Sequence, residues 1–193
     1  MLPPFCYRCS EPLTAGRVCQ RCAYTPLALT SIRSPFLMEG PIREAIHQLK
    51  YRNLRALAPT LAGLMAEYWT REGLGRFDCL VPVPLHRGRL RERGYNQSEL
   101  LARGLSKLTG LPVVSGSLVR QRAGLPQARA SSAEERRSSV KGAFLARGRG
   151  LDDKRVLLVD DVCTTGATLD ACARALQEAG AKEILALTLA REV

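Results

Sequence analysis

The sequence is poor in aromatic residues and has no long apolar run, and each shortage excludes a class of protein. Aromatic residues make up 5% of the 193 residues, so a groove in which nucleic-acid bases stack on aromatic rings is poorly supported. No stretch approaches the ~20 consecutive apolar residues of a membrane-spanning helix. The N-terminus, Met1 to Cys6, lacks the basic head and apolar core of a signal peptide. We therefore expect a cytoplasmic protein with no membrane span.

Acidic residues are scarce relative to basic ones. The chain has 18 acidic and 29 basic residues, giving a net charge of +11, and only five of the basic residues are lysines. A basic balance favours polyanionic ligands such as phosphates or nucleic acid. A solvated, arginine-rich surface gives the same balance, and charge alone does not decide between these interpretations.

The cysteines do not suit a disulfide-bonded frame, because there are seven of them and four are crowded near the N-terminus. Those four form two CxxC pairs separated by nine residues, namely Cys6 with Cys9 and Cys19 with Cys22. Four thiolates at this spacing surround one tetrahedral Zn²⁺, with no position left for a catalytic water. A redox pair is the alternative, but a redox CxxC normally begins a helix in a thioredoxin-like frame. The spacing predicts a structural zinc finger over residues 1–30, with little core of its own.

Apolar strands alternate with helical stripes through the rest of the chain. Strands are predicted at 79–83, near Leu118, at 156–159 and at 184–189; helices are predicted from Pro41, over 54–68, over 101–108 and over 169–179. This alternation predicts an α/β domain over residues 31–193, with a parallel sheet covered by helices on both faces. Two basic segments interrupt it. One is an arginine-rich loop at 84–95, and the other is a flexible hood at about 120–145 whose central part we expect to be a long mobile loop.

The segment from Val156 to Thr168, VLLVDDVCTTGAT, carries the main functional pattern. A buried strand ends in Asp160 and Asp161, and a loop then enters a helix. Glycine lets backbone approach an anion, and the first N–H groups of a helix point at it. Carboxylates would repel a phosphate, but they accept hydrogen bonds from vicinal ribose hydroxyls and can hold Mg²⁺. The pattern predicts a ribose 5-phosphate site, with Asp160 and Asp161 binding ribose and the phosphate bound by Thr164, Thr165, Gly166, Ala167 and Thr168.

The alternative to that site is a capped helix after a buried strand, in which Thr168 and Asp170 serve only the backbone.

Arginines follow the predicted strand at 79–83. Guanidinium groups bind phosphate oxygens in pairs, so Arg87, Arg89 and Arg93 are candidates for holding a pyrophosphate. The alternative is a solvated basic loop. His86 lies beside them, but a lone histidine does not identify a catalytic base, and no catalytic residue is assigned.

The VLLVDDVCTTGAT segment closely resembles the signature of type I phosphoribosyltransferases, which bind phosphoribosyl pyrophosphate. The resemblance implies that Asp160 and Asp161 contact the ribose hydroxyls and that residues 164–168 wrap the 5-phosphate. One departure matters. In hypoxanthine-type members, an aspartate that acts as acid or base toward the nucleobase stands where Thr164 stands here, so base salvage by that mechanism is not implied.

The order of motifs along essentially the whole chain resembles the ComF family. The resemblance is carried by the four-cysteine finger, IHQLKY at 46–51, VPVP at 81–84, RGYNQ at 93–97, Gln127, Arg136 with Arg137, GAF at 142–144 and the phosphate loop. It implies a ComFC-like competence protein that handles single-stranded DNA during natural transformation, beside a helicase-like partner and DNA-processing proteins. It also implies a phosphoribosyltransferase fold whose acceptor substrate is not settled.

Three hypotheses of function follow. The chain is an enzyme that transfers a phosphoribosyl group from phosphoribosyl pyrophosphate, held with Mg²⁺, to an unassigned acceptor. Alternatively, it is a non-catalytic module that binds single-stranded DNA and retains the pocket. In the third hypothesis it is a scaffold whose finger docks a partner protein.

Overall fold

A computed structural model describes residues 4–121, 142–147 and 150–193. The central part of the expected hood, including Gln127, Arg136 and Arg137, lies outside these residues. The described elements are α1 (Gln20–Tyr24), β1 (Ser31–Arg33), β2 (Phe36–Leu37), α2 (Gly40–Tyr51), α3 (Leu57–Glu72), β3 (Cys79–Pro82), α4 (Arg87–Arg93), α5 (Gln97–Thr109), β4 (Leu118–Arg120), β5 (Phe144–Ala146), β6 (Arg155–Cys163), α6 (Ala167–Glu178) and β7 (Glu183–Arg191).

The main sheet is parallel and places the two longest strands at its centre. Its order is β1, β7, β6 and β3, and β2 pairs with β7 beyond the end of β1. Parallel neighbours need crossover connections, which the helices between the strands supply. The predicted α/β fold, a phosphoribosyltransferase-type parallel sheet flanked by helices, is confirmed.

Helices cover both faces of this sheet, as the alternating pattern predicts. On one face α2, α3 and α5 bury side chains such as Ile46, Met65 and Leu101 against Leu157 and Leu187. On the other face α6 buries Leu169, Cys172 and Leu176 against Val156 and Leu158. Full burial of an aliphatic side chain contributes about 1.5–3 kcal/mol, so these two clusters supply most of the stability.

The N-terminal finger packs into the second of these clusters. All four finger cysteines are buried in it, together with Ile32 of β1. The finger also covers the open edge of β1: the Ile32 amide donates to the Arg8 carbonyl (2.7 Å), and the Ser10 hydroxyl donates to the Ile32 carbonyl (2.8 Å). The described part of the finger, residues 4–30, therefore contributes more to the core than its composition suggests, because the sheet supplies the other half of the contact.

The 84–95 segment was wrongly expected to be an irregular loop, because it contains helix α4. His86 caps the helix by accepting a hydrogen bond from the Gly88 amide at its Nδ1 (3.2 Å), and Gly94 ends the helix at φ 79°. Histidine is an unusual N-cap, and the run of arginines has no apolar stripe, so neither of the usual sequence signals for a helix is present.

Three other boundaries differ from the pattern. Asn53, at φ 56°, breaks the chain between α2 and α3, so the second helix starts at Leu57 and Leu54 is 44% exposed. Strand β6 continues through both aspartates to Cys163 because β7 pairs with it along that length. Strand β5 lies in the segment expected to be mobile, where it forms an antiparallel ribbon with β4.

Among the described residues, no helix is long and apolar enough to cross a membrane.

Candidate functional site

A cavity of about 220 Å³ opens where the carboxyl ends of the parallel strands meet. It is lined by Met38 after β2, Pro84 after β3, Asp160 near the end of β6 and Glu192 after β7. Ligands of open α/β sheets bind outside the carboxyl ends of the strands, so this is the position that the fold itself favours. Both aspartates, Thr164, Gly166 and Thr168 line the same cavity.

Asp160 is held by two hydrogen bonds to one carboxylate oxygen. Its Oδ1 accepts from the Ser98 hydroxyl (2.7 Å) and from the Asp161 amide (2.9 Å). Burial, followed by the charge of Asp161, raises the pKa of Asp160 to about 7, although these two hydrogen bonds and Lys50 act in the opposite direction. The carboxylate therefore changes its ionisation near neutral pH, and no side chain or amide of the described residues donates a hydrogen bond to its second oxygen.

Asp161 is almost fully buried, at 3% exposure, and forms an ion pair. Its Oδ2 lies 3.0 Å from the ammonium nitrogen of Lys50, near the end of α2. Because removing a charge from water is costly, a buried carboxylate needs a partner of opposite charge, and Lys50 supplies one. The two acids thus have different surroundings, and Asp161 lines the cavity as part of an ion pair.

The loop from Thr164 to Thr168 divides its side chains between two surfaces. Thr164, Gly166 and Thr168 line the cavity, whereas Thr165 and Ala167 line a groove between α6 and the finger. The Thr165 Oγ1 accepts from the Ala167 amide (3.3 Å), so it serves the helix entrance. Successive side chains of the loop point alternately to the cavity and to the groove. The five consecutive residues therefore do not all present side chains to one anion.

Gly166 is required by the backbone at the start of α6. It is the N-cap residue at φ 77°, and the helix has no side-chain cap there. An added Cβ would lie 2.9 Å from Cδ1 of Ile32 in β1. The Ala167 amide is taken by Thr165 Oγ1, but the following first-turn amides have no capping side chain, and such amides bind phosphate at helix N-termini. Asp170 does not cap α6, because it accepts from the Ala28 amide (2.6 Å) and pairs with Arg174.

Helix α4 directs the side chains of the three candidate arginines to two different cavities. Arg89 and Arg93 line the cavity, and Arg87 lines a neighbouring one. Residues four apart share a face of a helix, whereas residues two apart point in nearly opposite directions. Arg93 also donates to Gln97 Oε1 and lies with its guanidinium carbon 5.5 Å from the Tyr51 ring centroid.

Residue-type reasoning missed several side chains of the cavity. Lys50, Gln97, Ser98 and Arg120 line it, although the sequence analysis gave them no role in the site. The RGYNQ segment was the available signal for Gln97, and the structure shows why that segment is needed. The Tyr95 hydroxyl donates to the Leu49 carbonyl, and Asn96 caps α5 by accepting from the Ser98 amide (3.1 Å).

Arg120 of β4 brings a further cation to the cavity. Burial, and to a lesser degree the charge of Arg89, lower its pKa, while Cys172 and Asp160 oppose this shift. Its Nε is buried and has no hydrogen-bond partner among the described residues. Its guanidinium carbon lies 5.4 Å from the ring centroid of Phe144 on β5. A guanidinium held in this way is prepared to bind an anion.

The four finger cysteines form a cluster that fits a metal ion such as zinc. Their sulfur atoms all lie within 4.8 Å of one another, and the Cys9 and Cys19 sulfurs are 3.6 Å apart. Tetrahedral zinc–thiolate sites place neighbouring sulfurs about 3.8 Å apart, which matches this arrangement. Burial raises the pKa of Cys9 to about 11. Buried thiols of this kind ionise together only when a cation compensates their charge.

A buried chain of polar contacts joins the finger to the phosphate loop. Arg191, at 2% exposure, donates to the Cys163 sulfur (2.9 Å) and to Glu11 Oε2 (2.6 Å). The same carboxylate oxygen lies 3.0 Å from Arg21 Nη2, which is 3.5 Å from the Cys9 sulfur. The position of Cys163, directly before the loop, therefore depends on residues between the two cysteine pairs.

Comparison with known proteins agrees with this architecture. The model of the phosphoribosyl transferase domain family matches residues 92–192, just over half of the chain. Competence protein F of Haemophilus influenzae is 35% identical over 157 residues, which cover 78% of this chain and 68% of that protein. The chain belongs to the ComF family. Another relative of this ComF-family chain, DNA utilization protein YhgH of Escherichia coli K12, is 31% identical over 191 residues, covering 96% and 83%.

Solved structures include a similar sheet in a much longer protein. Glutamine phosphoribosylpyrophosphate amidotransferase from B. subtilis, complexed with ADP and GMP, is 25% identical to the ComF-family chain and superposes with a TM-score of 0.47. The alignment covers 69% of this chain and 26% of that structure.

Proposed function

We propose that the cavity at the strand ends binds phosphoribosyl pyrophosphate. The observation that carries this proposal is the juxtaposition, in one cavity, of two carboxylates, an uncapped helix N-terminus and two arginines of one helix face. Carboxylates suit sugar hydroxyls, amides suit a phosphate, and guanidinium groups suit a pyrophosphate. The family to which the chain belongs supports the same ligand.

Each group has a distinct task in this proposal. The free oxygen of Asp160 accepts hydrogen bonds from the ribose hydroxyls, and Asp161 with Lys50 fixes the floor beneath the sugar. The amides of Thr168 and Leu169 in the first turn of α6 and the hydroxyls of Thr164 and Thr168 bind the 5-phosphate. Asp160 and Asp161 fit Mg²⁺, which typically takes one or two carboxylates together with substrate phosphates, and the ion would neutralise the pyrophosphate.

The corresponding reaction is the transfer of the phosphoribosyl group to an acceptor. The bond between the anomeric carbon and the pyrophosphate oxygen breaks, and the positive charge that develops on the sugar is stabilised by the neighbouring carboxylates. Arg89 and Arg93 receive the departing pyrophosphate. With a threonine at position 164, the loop supplies no acid or base of its own to the acceptor.

Calorimetric titration with phosphoribosyl pyrophosphate and Mg²⁺ tests the proposal. We expect Asp160→Asn to weaken binding about tenfold or more, because a charged acceptor for the ribose hydroxyls is lost. Asp153→Asn is the matched control, since it removes the same charge from an exposed residue that pairs with Lys182. Equal affinity of wild type and Asp160→Asn would refute the assignment. Asp161→Asn is less suitable, because it leaves Lys50 unpaired.

We also propose a role in DNA uptake, which rests on the names of the relatives and on the net charge of +11. Phosphate contacts made by arginines give an affinity for single strands that falls steeply with salt. The measurement is fluorescence anisotropy of a labelled single strand at increasing salt concentration. Weak binding that does not respond to salt would contradict a direct contact with DNA.

A further inference from the structure

A second cavity, of about 550 Å³, lies beside the proposed phosphoribosyl site. The two cavities share Pro84, Leu85 and Arg120 as a common wall. The second one is enclosed by the end of β3, the start of α4, the start of α5 and strand β4. A molecule bound there lies next to whatever the first cavity holds.

The charge of this second cavity is positive. Arg87, Arg120 and Arg147 line it. Glu99 is the acidic residue among its lining side chains, and its carboxylate is already engaged by Arg103 (2.7 Å) and by the Ser115 hydroxyl (3.1 Å). The cavity therefore favours an anionic group on its occupant.

Apolar side chains line part of the rest of the cavity, beside the polar residues His86, Asn96 and Gln121. Pro82, Leu85, Leu90 and Leu118 line the same space. Leu90 lies on α4 and is 42% exposed. An exposed leucine facing a cavity gains free energy when a flat apolar surface covers it. The volume lies in the range of sites that bury small organic ligands, which is roughly 300–1,000 Å³.

We infer that this cavity receives the acceptor of the phosphoribosyl group, and that the acceptor is a flat ring bearing a carboxylate or a phosphate. The inference rests on the proposed binding of phosphoribosyl pyrophosphate in the first cavity. Arg87 and Arg147 bind the anionic group, and the leucines and prolines cover the ring. Arg120 lies in the shared wall, and the charges of Arg89 and Asp160 both act on its guanidinium group.

The transfer balances without any further reactant. A ring nitrogen donates its lone pair to the anomeric carbon while the carbon–oxygen bond to pyrophosphate breaks, and the bonding electrons leave with the pyrophosphate. The attacking ring nitrogen, which carries no proton in nicotinate or in AMP, takes over the positive charge of the anomeric carbon, so no proton has to leave. The positive cavity favours the ionised form of the acceptor's acidic group throughout.

Two pairs of probes test the inference by calorimetry on the full chain. Nicotinate and nicotinamide differ in the ring's negative charge, and AMP and adenosine differ in the phosphate. We expect at least one charged member to bind and its neutral partner to bind about tenfold more weakly or not at all, as the loss of a charge-assisted contact requires. The nicotinate and AMP arms distinguish a ring carboxylate from a nucleotide phosphate.

Arg147→Gln locates the binding. Arg147 is exposed and lines the second cavity but not the first, so its replacement is not expected to affect folding or the affinity for phosphoribosyl pyrophosphate. We expect it to weaken the charged probe about tenfold, as the loss of one charge-assisted contact requires. Arg71→Gln, which removes an exposed arginine on α3, is the matched control and is expected to bind like wild type.

The outcomes separate this inference from the proposed function. Unchanged probe affinity in Arg147→Gln, equal binding of charged and neutral probes, or no probe binding at all would overturn the inference while leaving the phosphoribosyl site intact. Probe binding without any binding of phosphoribosyl pyrophosphate would reject the proposed function and, with it, the acceptor role.

Discussion

Asp160 is the residue through which the site responds to pH. Its pKa of about 7 in the folded protein lies above the ordinary value of 3.8, so the folded state holds a proton that the unfolded chain has already released. Stability contributed by this group is complete below about pH 4 and declines as the pH rises toward 7. A ligand that binds the ionised carboxylate therefore binds more tightly as the pH rises. The stability of the unliganded protein falls over the same pH range.

Replacing Asp160 by asparagine therefore separates stability from binding. The amide oxygen still accepts from Ser98 and the Asp161 amide, and the cost of a buried charge disappears. At pH 8 we expect Asp160→Asn to stabilise the unliganded protein by about 1–2 kcal/mol, a value reduced for partial exposure, and to have little effect at pH 4. Urea unfolding at the two pH values measures this.

Wild-type affinity for phosphoribosyl pyrophosphate should rise between pH 6 and pH 8. The same titration of Asp160→Asn shows how much of the pH dependence of the affinity comes from ionisation of the ligand itself. If the variant were less stable at pH 8 and showed the same pH profile as wild type, the raised pKa would not govern the site.

The acids of the site were predictable from the sequence, but their partners were not. Two adjacent aspartates after a buried strand are a local pattern, visible without any fold. Ser98 lies 62 residues before Asp160 in the sequence, and Lys50 lies more than 100 residues before Asp161. Such contacts depend on how α2 and α5 pack on the sheet, which periodicity does not specify.

At the scale of elements, the entrance to α6 combines two constraints at one position. Gly166 has a positive φ, and a methyl group there would lie 2.9 Å from Cδ1 of the buried Ile32, whose side chain would have to shift. We expect Gly166→Ala to destabilise the protein by about 1–3 kcal/mol and to weaken phosphate binding, because the left-handed conformation and the packing both resist a Cβ. Chemical denaturation and calorimetry measure the two effects.

Gly63→Ala, in the interior of α3, is the control for that substitution. An added Cβ there meets nothing within 4 Å, and the change should stabilise the helix by about 0.5–1 kcal/mol. Equal behaviour of the two alanine variants would show that the loop does not require its glycine.

Helix α4 shows where local patterns were insufficient. The pyrophosphate assignment grouped Arg87, Arg89 and Arg93 because they are close in sequence, and a flexible loop would bring them together. A helix instead directs them to two cavities. The assignment of long apolar strands and amphipathic helices succeeded because burial imposes a period on the sequence, whereas this exposed helix buries no residue and carries no such period.

At the scale of the whole molecule, the four-cysteine cluster and the loop at 164–168 are linked. Glu11 and Arg191 connect the finger to Cys163, so loss of the metal should disturb the loop. We expect removal of bound zinc by a strong chelator to lower the unfolding temperature and to weaken phosphoribosyl pyrophosphate binding. A metal-sensitive dye quantifies the zinc released, and differential scanning calorimetry follows the unfolding.

Glu11→Gln distinguishes the link from the metal itself. This variant keeps all four cysteines and should retain zinc, yet it removes the charge that holds Arg191 and Arg21. We expect its ligand affinity to lie between those of the zinc-loaded and the zinc-free wild type. A zinc-free protein that melts and binds like the loaded one would exclude any coupling.

The finger also shields the outer strand of the sheet. Ile32 of β1 exchanges hydrogen bonds with Arg8 and Ser10 on the side that faces away from β7. An unprotected parallel edge is a template on which further chains add as strands. Deleting residues 1–30 to look for a docking partner would expose this edge, and we expect the shortened protein to aggregate through it. Loss of a partner in such an experiment could not then be distinguished from aggregation.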